Sequence, residues 1–248
     1  MANNLHHRNE REDLAAALRW AARLGWQSGI CNHFSLAVEE TDEGGPAGVL
    51  VNPQGYHWSE VTASSLLLMD EAGDVLEGDG YVEATAYYIH SAIHKRVPTA
   101  KCVMHAHPPQ TTAIMCTERG RLVNCHQDCL RFHRRIAYDD DFGGVAEHKE
   151  EGDRIANALG NRPIMMMAHH GITVTGPDVS RTLDDFYYLE NAAKYQHIAQ
   201  SSGAKLKVID EETADRLAPA FQKQDEQITG HFAAIRRILD REEPEYKH

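Results

Sequence analysis

Apolar residues along this chain recur at two periods, helical and strand-like, and the periods alternate. Over residues 10–24, EREDLAAALRWAARL, Leu14, Leu18, Ala21 and Leu24 repeat at helical spacing with charges opposite. That predicts an amphipathic helix, stopped by Gly25. "GICNHFSLAV" (29–38) reads as a turn entering a strand. After a Gly- and acid-rich loop at 41–48, "GVLVNP" (48–53) reads as a second strand, stopped by Pro53 and Gly55. "SSLLLMD" (64–70) and "GDVLEG" (73–78), joined by "EAG", predict a hairpin.

The alternation continues. Residues 82–96, VEATAYYIHSAIHKR, are expected to be helical, and "TAKCVMHAH" (99–107) to be a buried strand. Pro108 and Pro109 suit the first turn of a helix running to about Cys116. Residues 121–142 show no clear period. "HKEEGDRIANAL" (148–159) predicts a helix closed by Gly160. "PIMMMA" (163–168) predicts a buried strand that runs into "HHG" and resumes as "ITVTG". The stretch 178–203 is the longest helical pattern, with Asp178 or Ser180 as its cap. Helices alternating with strands point to one α/β domain with helices on both faces of a sheet. We take residues 10–205 as that domain. Residues 206–248 form a charged extension, expected to lie on the same domain or on a neighbouring subunit.

Composition narrows the function. Lys plus Arg number 25 against 37 Asp plus Glu, a net charge of −12, which argues against a nucleic-acid partner. It leaves room for a small anionic ligand. No apolar run is long enough to span a bilayer, and the polar N-terminus does not read as a secretory signal, so a cytoplasmic protein is expected. The five cysteines (Cys31, Cys102, Cys116, Cys125, Cys129) include no CxxC pair and read as free thiols. Cys125 and Cys129 flank His126 in "NCHQDC", but no second cluster completes a zinc site there. Of the 16 histidines, His6, His7 and His248 lie in the tails and read as idle.

The candidate chemistry lies in two short stretches. In "VMHAHPPQ" (103–110), His105 and His107 are two apart at a strand end, so both project from one face. In "MMMAHHGITVTG" (165–176), a second buried strand delivers His169 and His170 to a glycine turn. Strand ends of α/β sheets are where such folds gather ligands. A metal needs three or four donors held together, and His105, His107 and one of His169 or His170 would supply three. Open positions on the ion would make the site catalytic, able to polarise a carbonyl or stabilise an enolate.

The sequence resembles the class II aldolase/adducin family. The resemblance is carried by "GWQSGICNHFSLAV", "LVNPQGYHWSEVTASSLLLMDEAGDVLEG", "IHSAIHKRVPTAKCVMHAH" and "MMMAHHGITVTGPDVSRTLDDFYYLENAAKYQ", from about residue 12 to 203. It implies a three-layer α/β/α sandwich around a central mixed sheet. It also implies one divalent transition metal per chain, zinc first with Mn, Fe or Co as alternatives, bound by His105, His107 and His170. Homotetramers with sites near subunit boundaries come with the family.

Several positions depart from the family's aldolases. Their catalytic glutamate stands twelve residues before the proline that precedes HxH, and counting back from Pro98 reaches Ala86. Glu83 lies three residues earlier, on the same helical face. It is expected either to take over the proton transfer or simply to sit in the first turn, where negative charge suits the helix dipole. The family's phosphate grip is also altered. Asn32, His33 and Ser35 stand at the first strand, Ala84 and Thr85 replace a serine pair, and Gly55 remains, leaving fewer cradle groups for a dianion. A non-phosphorylated substrate is expected, with Asn32, Ser35, Gly55, Thr85 and His126 as binding residues. Besides Glu83, the catalytic candidates are His33, Arg131 as a carboxylate fork, and Tyr138.

These readings converge on a metal-dependent carbon–carbon lyase acting by aldol cleavage or decarboxylation on a small hydroxy-carbonyl or carboxylic acid. The alternatives are a non-catalytic adducin-like scaffold, and a dehydratase, epimerase or Fe(II) oxygenase built on the same three histidines.

Overall fold

A computed structural model describes residues 5–248. Eight strands form one sheet: β1 (His33–Val38), β2 (Gly48–Val51), β3 (Leu67–Met69), β4 (Val75–Glu77), β5 (Cys102–Ala106), β6 (Ile136–Asp139), β7 (Ile164–Met167) and β8 (Ile172–Gly176). Their spatial order is β4-β3-β2-β1-β5-β8-β7-β6. Neighbours run antiparallel except β6 and β7, which are parallel, so the sheet is mixed.

The helices are α1 (Arg8–Arg23), α2 (Ala84–Arg96), α3 (Pro109–Met115), α4 (Lys149–Leu159), α5 (Val179–Ser201), α6 (Glu211–Gln222) and α7 (Asp225–Glu242). The pleat divides the strands' side chains between two cores. Phe34, Leu36, Met104, Ala106, Met166 and Val174 face α1, α3, α5 and α7. Val103, Ala137, Met165 and Met167 face α2 and α4, packing on Ile89, Ile93, Ile155 and Leu159. This is the three-layer α/β/α sandwich around a mixed sheet.

The local signals act where the pattern placed them. Asp178 caps α5 by accepting from Arg181 N at 2.8 Å, and Gly160 ends α4 at φ +60°. Two expectations need correction. The stretch 64–70 opens as a 3₁₀ turn, Ala63–Ser65, and only Leu67–Met69 pairs as strand. The unassigned region 121–142 contains a 3₁₀ segment, Gln127–Phe132, and strand β6. The C-terminal extension forms α6 and α7, whose Ala214, Ala218, Ile228, Phe232, Ile235 and Leu239 are buried. Its charges hid a helical stripe of mostly small and aliphatic residues. The N-terminal histidines are not idle, since His6 pairs with Glu77 and His7 Nε2 lies 2.8 Å from the Pro46 carbonyl.

Candidate metal centre

Antiparallel pairing brings distant residues to one end of the sheet. β5 ends there at His105 and Ala106, and β1, running the other way, begins there with His33 directly opposite His105. β8 begins there with Ile172 opposite Ala106. The turn joining β7 to β8 carries His169 and His170, and the Ala168 N–H ties it to the Asp139 carbonyl at the end of β6 (2.8 Å).

Three imidazoles converge at that end. The ring centroids of His105, His107 and His170 are 4.8–5.2 Å apart, and each offers one nitrogen within 4.8 Å of the others'. His169 adopts φ +59°, which turns the chain so that the two adjacent histidines part. His170 joins the cluster, while His169 stands near Phe142, with ring centroids 6.2 Å apart.

The hydrogen bonding fits a metal. His105 Nδ1 donates to the Ile172 carbonyl at 3.0 Å, which leaves Nε2 as the free donor atom. His107 Nδ1 lies 3.4 Å from Ser28 Oγ, and its Nε2 is buried with no hydrogen-bond partner. An imidazole nitrogen orphaned in this way, beside two others, is the expected state of a metal ligand. Burial keeps the imidazoles neutral, as ligands must be. It holds His105 well below the usual imidazole range, with the neighbouring histidines adding to the effect, and lowers His107 to about 4. His170 is lowered by burial against the opposing pull of the Asp139 and Glu151 carboxylates.

Close backbone approach shapes the cluster. A Cβ on Gly171 would stand 2.5 Å from the Ala106 oxygen and 2.5 Å from His107 Cδ2. Asn32 takes φ +76°, and its Oδ1 accepts from Ser28 N at 2.9 Å, holding the turn beside His107. On α5, Glu190 accepts from Gln110 N (2.7 Å), Thr111 N (2.9 Å) and Thr111 Oγ1 (2.9 Å), pinning the start of α3 just after His107.

A polar strip borders the histidines. The His33 ring lies 5.0 Å from that of His105. His33 Nε2 is 3.2 Å from Thr85 Oγ1 and 4.0 Å from a Glu83 oxygen. Glu83 lies just before the first turn as the N-cap of α2, accepting from Ala86 N (3.0 Å) and from the Thr85 hydroxyl. Its cap role and its place beside His33 therefore coexist. Ala86 is buried among Val51, Leu67 and Met69, where a carboxylate would lack polar partners.

Other candidates are placed elsewhere. Arg131 is buried, with its guanidinium bound to Asp184 and stacked 4.0 Å from the Tyr188 ring centroid, so it is not a free carboxylate fork. Tyr138 is opposite Met166 and therefore on the other face of the sheet from His105, and its hydroxyl accepts from Leu122 N at 3.2 Å. His126 caps the 3₁₀ segment and packs on Tyr195, with centroids 4.6 Å apart. In each case the residue type was suitable, but the pleat or an acidic partner fixed another role. Gly55 takes φ +93° in an exposed loop with open space around it. Asn52 joins that loop to the site, accepting from Phe34 N (2.9 Å) and donating to the Asn32 carbonyl (3.2 Å). Sequence reasoning missed Asn52, Glu190 and Gly171, and it missed His90 and His94, whose i,i+4 spacing on α2 was a usable signal.

A cavity of about 540 Å³ is at the opposite sheet end, beside Gly176 and Pro163. Its Arg135 and Arg181 are paired with Asp185 and Asp225, so we assign it no chemistry.

Three histidines, His105 buried and His107 and His170 half-buried, converge at one end of a mixed sheet and give this α/β protein a candidate metal centre. A family model described as "Class II Aldolase and Adducin N-terminal domain" matches residues 12–197, and the chain belongs to that family. A Pseudomonas aeruginosa protein whose name assigns it provisionally to aldolase class 2 is 31% identical over 96% of this chain and 91% of its own length. The adducin-related protein C1289.14 of Schizosaccharomyces pombe is 34% identical over 76% of this chain, which spans 56% of that relative. Decarboxylase NovR of Streptomyces niveus is 29% identical over 76% of this chain and 69% of its own. The crystal structure of an aldolase II superfamily protein from Pseudomonas syringae superposes with a TM-score of 0.88, at 29% identity, covering 97% and 96% of the two chains. Among the described residues, no helix is long and apolar enough to cross a membrane.

Proposed function

We propose that this protein is a metal-dependent carbon–carbon lyase acting on a small, non-phosphorylated hydroxy-carbonyl compound or carboxylic acid. The observation carrying this reading is the orphaned, buried Nε2 of His107 converging with His105 and His170. An all-imidazole donor set favours zinc over hard cations. A divalent ion held there supplies Lewis-acid polarisation of a substrate carbonyl and a sink for the charge left when a carbon–carbon bond breaks. His33 Nε2, Thr85 Oγ1 and the Glu83 carboxylate line the adjoining side and would bind the substrate hydroxyl and hold its proton. Between the two cleavages, decarboxylation makes the smaller demand on this site, because bond breaking needs no base to start. Aldol cleavage requires Glu83 or His33 to take the hydroxyl proton. We place the chain in a homotetramer, which would cover exposed apolar residues such as Ile30, Phe142 and Val145.

A second reading, a non-catalytic adducin-like scaffold, is favoured by one observation. The position of the family's glutamate is occupied by Ala86, embedded in apolar core. Elemental analysis of the purified protein beside His107→Ala separates the two. About one transition metal per chain, lost in the variant, supports the lyase. A wild type that holds none and does not take up Zn²⁺, Mn²⁺ or Fe²⁺ overturns it in favour of the scaffold. Screening metal-loaded protein for carbon dioxide against aldehyde release then identifies the bond broken.

A further inference from the structure

A line of buried hydrogen bonds runs from α2 through the sheet to the edge of the metal centre. His94 Nδ1 lies 2.9 Å from the Ala100 carbonyl, and His94 Nε2 lies 2.8 Å from Ser35 Oγ. Ser35 Oγ is 2.5 Å from His90 Nδ1, and His90 Nε2 is 2.7 Å from His33 Nδ1. Ser35, His90 and His33 are buried. Burial lowers His33 and His90 well below the usual imidazole range and His94 to about 4, so each ring carries one proton at neutral pH.

One fixed end orders every proton in the line. A carbonyl only accepts, so His94 carries its hydrogen on Nδ1 and leaves Nε2 bare. The Ser35 hydroxyl must therefore donate to His94. Having spent its single hydrogen, Ser35 Oγ accepts from His90 Nδ1. His90 Nε2 is then bare and accepts from His33 Nδ1. At the far end His33 Nε2 keeps only its lone pair, facing Thr85 Oγ1 at 3.2 Å. Thr85 has one hydrogen, which it gives to Glu83. The edge of the centre thus presents two strong acceptors, His33 Nε2 and the Glu83 carboxylate, with one hydroxyl hydrogen between them.

We propose that the Ala100 carbonyl, acting through His94, Ser35 and His90, fixes His33 as the Nδ1–H tautomer, so that the site selects ligands bringing a hydrogen-bond donor, a hydroxyl beside the carbonyl or carboxylate. His90, Ser35 and His94 are positioning residues, since they act only through His33. The tautomer assignment stands on the hydrogen-bond geometry together with the neutrality of the buried rings, and its use in selecting a substrate hydroxyl rests on the lyase reading.

Neutron diffraction from deuterium-exchanged crystals of the full chain, as purified and at neutral pH, tests the assignment. Deuterium is expected on Nδ1 of His33, His90 and His94, with the Ser35 deuteroxyl directed at His94 Nε2. Deuterium on His33 Nε2 overturns it. Ser35→Ala is nearly isosteric and cuts the line, so part of the His33 deuterium should move to Nε2. A purely structural serine would leave it in place, and that result also overturns the proposal. Neither readout requires bound metal or turnover, so failure of the lyase reading would be seen separately. For selection, glycolate and acetate titrated into the protein as purified should differ, and the preference for glycolate should fall about tenfold in Ser35→Ala, as loss of one aligned hydrogen bond predicts. An unchanged preference, or none in either protein, overturns selection.

Discussion

Replacing Gly171 by alanine sets two effects of opposite sign against each other. Gly171 does not lie at positive φ, so alanine is conformationally acceptable there. Through the unfolded state alone, Gly→Ala should then stabilise by about 0.4–1 kcal/mol. The contacts argue otherwise. The added Cβ would stand 2.5 Å from both the Ala106 carbonyl oxygen and His107 Cδ2, roughly 1 Å inside ordinary carbon contact distance. The carbonyl cannot retreat freely, because Ala106 is in register with Ile172 in the β5–β8 pairing, and the Gly171 carbonyl itself accepts from Met167 N at 2.9 Å. Overpacking of this kind costs about 1–3 kcal/mol, so the clash should win and the variant should lose roughly 1–2 kcal/mol net. The relief available is rotation of His107 away from His170, which would weaken metal binding by about 10–100-fold, the usual effect of disturbing ligand orientation. Urea unfolding with chelator present measures the first quantity, as a lower midpoint at unchanged slope. Titration against a competing chelator measures the second. A variant more stable than wild type with wild-type metal affinity would refute the reasoning.

Three further outcomes follow from the buried polar groups. Burial holds His94 neutral down to about 4, whereas an unfolded histidine titrates near 6.5. The unfolded chain therefore takes up its proton first, so stability present above about pH 6.5 falls as the pH drops towards 4, by roughly 3 kcal/mol at most from His94 alone. His33 and His90 act in the same direction, and a metal-free unfolding free energy that stays flat across this window would contradict the assignment. Arg131→Met should destabilise by about 3–5 kcal/mol, because it leaves the buried Asp184 carboxylate with only His231 as a side-chain partner, yet leave metal content unchanged; loss of metal would return Arg131 to the site. Glu190→Ala removes the acceptor for three donors at the start of α3 and should cost about 2–4 kcal/mol, whereas Glu190→Gln, which keeps one acceptor, should cost less, as thermal unfolding of the pair would show.

Sequence by itself determined what depends on near neighbours along the chain. The alternation of helical and strand periods gave the layers, because burial of a stripe or a face follows directly from spacing. HxH at a strand end and a second histidine pair before Gly171 supplied the residues that converge at the candidate metal centre, because the pleat places i and i+2 on one face and strand ends share an edge. Resemblance to the class II aldolase/adducin family selected His170, and the structure supplies the physical cause: the positive φ of His169 turns that ring away. Tertiary structure decided whatever depended on partners distant in the chain. Arg131 looked free until Asp184, 53 residues later, occupied it. Tyr138 looked available until its register with Met166 placed it on the other face. His90 and His94 are ordinary helix residues until Ser35 and His33 arrive from another strand. A side chain's type limits what it can do, but its hydrogen-bond partners and the face it occupies decide what it does, and these are fixed only when antiparallel pairing sets the register of the whole sheet.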